Sequence, residues 1–216
     1  MILTFFFVLL GWVFSLCLHE FSHALVAYYG GDTTVREKGY LTFNPLKYTH
    51  PVYSLLLPLL FLVMGGIGLP GGAVYIEKWR LRSRRWESAV SLAGPLSNLV
   101  LAVVLALVLH FAPAAAGGLW PGLAFLALLQ VSAVVLNLIP LPPFDGYGAL
   151  EPYLPTNIRL RMDQTRGLLS LAVFFVLWYV PFVGSAFWGL VRFLAQLLGI
   201  PFALAGLGYD LFMFWK

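Results

Sequence analysis

The sequence predicts an all-α polytopic membrane protein of about five to six transmembrane helices, with a re-entrant extended segment near its functional centre. Two observations carry the prediction. Of the 216 residues 61% are hydrophobic, only 10% are charged, and mean hydropathy is +0.88, whereas a soluble domain carries about 25% charged residues. The apolar residues also gather in runs at 2–29, 51–69, 88–111, 119–139, 168–182 and 185–214, several of them near the ~20 residues that cross a bilayer as a helix. An aromatic content of 16%, with seven Trp, fits anchoring at two lipid–water interfaces.

The net charge of +4 and pI near 9.3 do not indicate a nucleic-acid partner, because the basic residues fall in short loops between apolar runs and read as topology signals. The bilayer itself is the expected surrounding. Cys17 is the single cysteine, which excludes an intrachain disulfide and a multi-cysteine metal site. A basic n-region, a small-residue cleavage site and a lipidation motif are not seen at the N-terminus, so the first run is expected to be a retained helix. With no repeat and no boundary for a soluble unit, residues 1–216 read as one integral membrane domain with a core over 1–155.

Charge placement orients the elements in turn. Arg80, Arg82, Arg84 and Arg85 mark connector 70–87 as cytoplasmic, Arg159, Arg161 and Arg166 do the same for 158–167, and 112–118 carries no charge. Run 88–111 therefore leaves the cytoplasm and run 119–139 returns to it. Arg36, Lys38 and Lys47 place the C-terminal end of the first helix on the cytoplasmic side, with Met1 outside. Connectors 30–50 and 70–87 then share a side, which a single crossing by 51–69 forbids. That run is interrupted by Pro58, Gly65-Gly66, Gly68, Pro70 and Gly71-Gly72. The expectation is a helix over 51–64 that enters and a segment 65–77 that returns in extended form, its backbone covered by protein. A true crossing, with 70–87 outside, is the alternative.

Inside the first run stand His19, Glu20 and His23. Each ionisable group at mid-membrane costs about 2.5–3.5 kcal/mol on insertion scales, so three together call for a partner or a task. Spaced i and i+4, the two imidazoles lie on one helix face and can reach one metal ion, while Glu20 on a neighbouring face can take a proton from metal-bound water. A catalytic zinc usually takes a third protein ligand. His50 lies in the first connector, and His110 stands at the far end of its run and is excluded. Asp145 follows a helix that returns to the cytoplasmic side, the depth at which the histidines end. Pro140, Pro142 and Pro143 stiffen its approach and Gly146 permits an unusual dihedral. A plain Asp-Gly turn is the other reading of that site.

His19-Glu20-Phe21-Ser22-His23, Ala93-Gly94-Pro95-Leu96-Ser97-Asn98, and Asn137-Leu138-Ile139-Pro140 running on to Asp145-Gly146 together resemble the motifs of the site-2 protease family of intramembrane zinc metalloproteases, in order and in separation. The resemblance reaches to about residue 150 and is strongest to compact members without a PDZ domain, whose connector includes a stretch like Asn44-Pro45-Leu46-Lys47. It implies that His19, His23 and Asp145 bind one zinc ion, that Glu20 activates water, and that Asn98 and Asn137 have supporting roles, the latter near the scissile bond. A helix–helix hydrogen bond is the other reading of each asparagine. Compact members often carry aspartate where His50 stands, so no role passes to that position. By analogy the family also suggests a lateral gate from helices over 168–214, with Gly184, Gly189 and Gly199.

The activity so implied is hydrolysis of peptide bonds within or near transmembrane segments of membrane protein substrates, at an active site toward the cytoplasmic side of the cell membrane. A transmembrane substrate must unwind to expose its carbonyls, and 67–77 and 33–43 are the candidates for an edge strand that pairs with it, a loop without substrate contact being the other reading of both. Two other classes keep the same metal: a zinc transporter and a non-catalytic membrane scaffold. Transport needs a polar path, and for it the outer halves of the helices offer only His110 and Gln130.

Overall fold

The structure, a computed structural model, describes residues 1–48, 62–63, 74–113 and 117–216. Among these residues there is no β-strand, in keeping with the all-α expectation. Helix α1 (Ile2–Gly30) contains no proline, and Gly11 is its only glycine before Gly30. Its 29 residues extend about 43 Å at 1.5 Å per residue, longer than the ~30 Å hydrocarbon core. It ends because Gly31 turns to φ 121°, a conformation closed to other residues, and the N–H groups of Gly31 and Asp32 return to the carbonyls of Tyr28 (3.2 Å) and Ala27 (2.9 Å).

A short turn, α2 (Thr34–Glu37), follows. Asp32 sets it, since its Oδ1 accepts from the Thr34 N–H (3.1 Å) and hydroxyl (2.6 Å). The candidate edge strand over 33–43 is therefore replaced by this helical turn and the bends after it. The expected run over 51–69 lies outside the described residues apart from Leu62 and Val63, and so does 65–73 of the re-entrant segment; residues 74–77 have no regular secondary structure.

Next come α3 (Arg84–Leu109) and α4 (Trp120–Asn137), then the short α5 (Asp145–Leu150) and α6 (Thr156–Gln164). The chain closes with α7 (Arg166–Tyr179), α8 (Pro181–Leu197) and α9 (Phe202–Phe212). Helices α1, α3 and α4 are long and apolar enough to cross a membrane. A fourth span results if 171–179 and Pro181–Leu197, which meet at 89°, count as one broken unit. Pro181 opens α8 and Pro201 precedes α9, dividing the last two apolar runs into helices of 14, 17 and 11 residues.

Helix α4 sits at the centre, packed by α1, α3, α8 and α9. Its apolar stretch is 83% buried, against 39% for α1 and 44% for α3, which leaves the latter two facing lipid. Lipid tails are as apolar as leucine, so close packing of small residues, and not removal from water, drives such association. Ala102, Ala124 and Ala127 are fully buried. Gly122 sits beneath Thr4, Phe7 and Val8, and Gly208 lets α9 rest on the Pro121 carbonyl. Phe5 and Phe212 stack at 5.2 Å, which ties α9 to the start of α1.

A polar layer covers the other end of α1. The Arg82 N–H donates to the Gly30 carbonyl (2.9 Å) and the Glu77 N–H to Asp32 Oδ2 (2.8 Å). Lys38 Nζ (2.9 Å) and Arg80 Nε (2.6 Å) both donate to the Glu77 carboxylate, and these bonds, Lys38 first, hold it below the usual carboxylate range. Lys78 Nζ meets Glu151 at 2.5 Å, linking the connector to the turn after α5. The Tyr48 hydroxyl lies within reach of the Cys17 (3.1 Å) and Thr42 (2.9 Å) carbonyls, and burial pushes its ionisation up, so it remains a donor.

Candidate metal centre

The helical turn from His19 to His23 points both imidazoles at α3. His23 Nδ1–H donates to the Val90 carbonyl at 2.6 Å, and His19 Nδ1–H donates to Asn98 Oδ1 at 2.8 Å. Neither acceptor carries a proton, so both rings hold one on Nδ1, and each neutral ring then has its lone pair at Nε2. Those two Nε2 atoms stand 3.0 Å apart. Asp145, the first residue of α5, brings Oδ2 to 3.2 Å from His19 Nε2 and Oδ1 to 3.5 Å from His23 Nε2. Its Oδ2 is buried and has no hydrogen-bond donor.

Lone pairs from three side chains facing one another repel unless a cation lies between them. The spacing fits zinc: metal–donor bonds of about 2.0–2.1 Å at tetrahedral angles separate donors by about 3.3–3.4 Å, close to the 3.0, 3.2 and 3.5 Å found. Among the described residues, His19, His23 and Asp145 form a group able to hold a metal ion, one donor atom from each lying within 4.8 Å of the others. Its depth is membrane-like. His19 lies 11 residues before Gly30, about 16 Å inside that end of α1 at the helical rise.

Two glycines make the approach of other elements possible. A Cβ on Gly94 would overlap Nε2 of both histidines, so only glycine lets α3 pass there. Gly146 does not use the freedom of φ that glycine permits. Its need is for space instead, because a Cβ would collide with the Leu138 carbonyl and stand 2.7 Å from that of Ile139. This seats α5 on the turn after α4 and sets the depth of Asp145.

Glu20, buried beside His19, accepts the Val74 N–H at Oε2 (3.1 Å). Its carboxylate is thus placed next to the metal group, on the helix face that meets the 74–77 connector. Asn98 makes the helix–helix hydrogen bonds that were its second reading, and makes them to the site: Oδ1 to His19, and Nδ2–H to Gln130 Oε1 at 3.1 Å. Asn137 is buried at the C-terminal end of α4. His110 is exposed at the opposite end of α3 from Val90, and His50 lies outside the described residues.

Sequence reasoning missed three participants. The Val90 carbonyl carries no side-chain signal at all. Gly94 was quoted only as part of a motif, although the small residue before Pro95 marked a place where α3 could be closely approached. Gln130 was set in the outer half of its helix, yet it bonds Asn98 at the site; a lone amide in a run of apolar residues was the available signal.

Comparison with known proteins agrees with this chemistry. The family model described as Peptidase family M50 matches residues 5–115. A protein of Mycolicibacterium smegmatis named "Putative zinc metalloprotease Rip2" is 47% identical over 216 residues, covering 99% of this chain and 82% of its own length. The protein of the same name in Mycobacterium tuberculosis is 46% identical over 215 residues, with the same coverage. "Putative zinc metalloprotease YwhC" of Bacillus subtilis is 32% identical over 192 residues, 83% of each chain. No solved structure matches the chain.

Proposed function

Because the chain belongs to peptidase family M50 and is a zinc metalloendopeptidase of the membrane, we propose that it hydrolyses peptide bonds within or near the transmembrane segments of other membrane proteins. In this reading His19, His23 and Asp145 hold one zinc ion and Glu20 is the general base. One observation supports it above the rest: two imidazoles and an undonated carboxylate oxygen converge at membrane depth on one face of α1, beside the face that carries Glu20.

When bound there, the zinc supplies Lewis acidity that acidifies a water molecule and polarises the scissile carbonyl. Glu20 receives the proton of the attacking water on its carboxylate and returns it to the departing amide nitrogen, so no covalent intermediate with the protein forms. Burial keeps bulk solvent from competing for the base. The Nδ1–H bonds from His19 to Asn98 and from His23 to Val90 orient the rings and raise their basicity as donors. Asn137, buried at the end of α4, fits a supporting place beside the peptide being cut.

The same reading puts the active site toward the cytoplasm with Met1 outside, in a cell membrane, on the argument of Arg and Lys placement. It treats 1–216 as one domain, with a core over 1–155 and gate helices over 168–214. Helices α7 and α8 meet at 89°, while α9 packs into the shared core.

The test is cleavage of a single-span model substrate by purified, zinc-loaded protein in vesicles, with the cut mapped by mass spectrometry. A cut within or just beside the span, abolished by chelation and restored by zinc, is expected. Cleavage only of soluble peptides, or zinc flux without cleavage, contradicts the proposal.

A further inference from the structure

We propose that Gln130 is a positioning residue of the metal centre: it holds the Asn98 amide in the orientation that leaves the His19 Nε2 lone pair free for the metal. The inference rests on the reading of His19, His23 and Asp145 as zinc ligands.

Gln130 is fully buried near the middle of α4, in a helix otherwise nearly all apolar. An amide there is costly unless its polar atoms are bonded, and its Nε2 has no partner. Leucine or methionine would fill the volume without that cost, so packing does not explain the residue. Its one hydrogen bond does, because Oε1 accepts from Asn98 Nδ2 at 3.1 Å.

Asn98 has two orientations of nearly equal shape. In the one observed, Oδ1 faces His19 Nδ1 at 2.8 Å, so the imidazole proton must sit on Nδ1 and Nε2 is a donor to metal. Reversed, the amide would present N–H to Nδ1, the proton would move to Nε2, and the ring would be lost as a ligand. A reversal of Asn98 alone would set its Oδ1 against Gln130 Oε1, acceptor against acceptor. Both amides must therefore turn together, so Gln130 couples the orientation of Asn98, and with it the tautomer of His19, to a fully buried side chain of α4. The chain of command runs across three helices, from α4 through α3 to α1.

The test is zinc affinity, measured by chelator competition on the purified full-length chain in detergent, with thermal unfolding recorded in parallel. Gln130→Leu and Gln130→Met, which delete the acceptor in two shapes, are expected to bind zinc about tenfold more weakly or worse, as outer-shell partners of metal ligands do. Gln130→Glu keeps an acceptor oxygen and should remain close to wild type. In an Asn98→Asp background both side-chain oxygens can accept from His19, so Gln130→Leu should then cost no affinity. Wild-type affinity in the Leu and Met variants, an equal loss in Gln130→Glu, or a loss that persists beside Asn98→Asp overturns the proposal and leaves Gln130 a packing residue. If zinc binding in otherwise wild-type protein is indifferent to Asp145→Ala, the ligand assignment fails, and the role of Gln130 with it.

Discussion

Glu20→Gln is expected to lower kcat/KM for a single-span substrate by about 10²–10⁴-fold, the usual worth of a general base, or about 3–5 kcal/mol of barrier. The glutamine has the same shape, and its side-chain oxygen can still accept the Val74 N–H that now reaches Oε2 at 3.1 Å. What it lacks is basicity. Zinc content should stay at the wild-type level, because Glu20 is not among the three residues whose donor atoms converge. Activity within tenfold of wild type would remove Glu20 from the mechanism, and loss of zinc would recast it as a ligand or a structural group.

Gly94→Ala is expected to lower zinc affinity strongly, through geometry alone. The new methyl group would overlap Nε2 of both His19 and His23, the atoms proposed to bind metal. Overpacking a well-packed site costs about 1–3 kcal/mol. Here the displaced atoms are the donors themselves, so the upper end applies, about 100-fold in affinity. Gly206→Ala is the control, since no atom lies within 4 Å of the position its Cβ would take. Equilibrium dialysis against zinc, with unfolding temperatures for both variants, measures the effect; equal affinities in the two variants would contradict the close approach of α3 to the histidines.

Much of this centre was legible in the sequence because its signals are local. His19, Glu20 and His23 carry their geometry in a four-residue period, and their cost in an apolar helix makes them conspicuous. Asp145 was reachable by topology, since the direction of α4 fixes the end at which the following turn lies. The need for glycine at 146 was not legible, because the residue answers to a neighbouring backbone, Leu138, that no local pattern reveals. Gln130 and the Val90 carbonyl belong to contacts between helices distant in sequence, where one chain read alone gives no register. The candidate edge strand over 33–43 failed for a local reason, the Asp32 side chain bonding to Thr34 and starting a helical turn. Hydropathy does not show where the C-terminal apolar runs divide, because it ignores proline, and Pro181 and Pro201 begin new helices.

Zinc K-edge X-ray absorption of the purified chain tests most directly whether one cation is shared by α1 and α5. One zinc per chain is expected, with two imidazole nitrogens at about 2.0–2.1 Å and a carboxylate oxygen at about 2.0–2.2 Å, and with the imidazole signature halved in His23→Ala and the zinc lost in Asp145→Ala. A first shell without histidine, or a zinc stoichiometry unchanged by both substitutions, would contradict it.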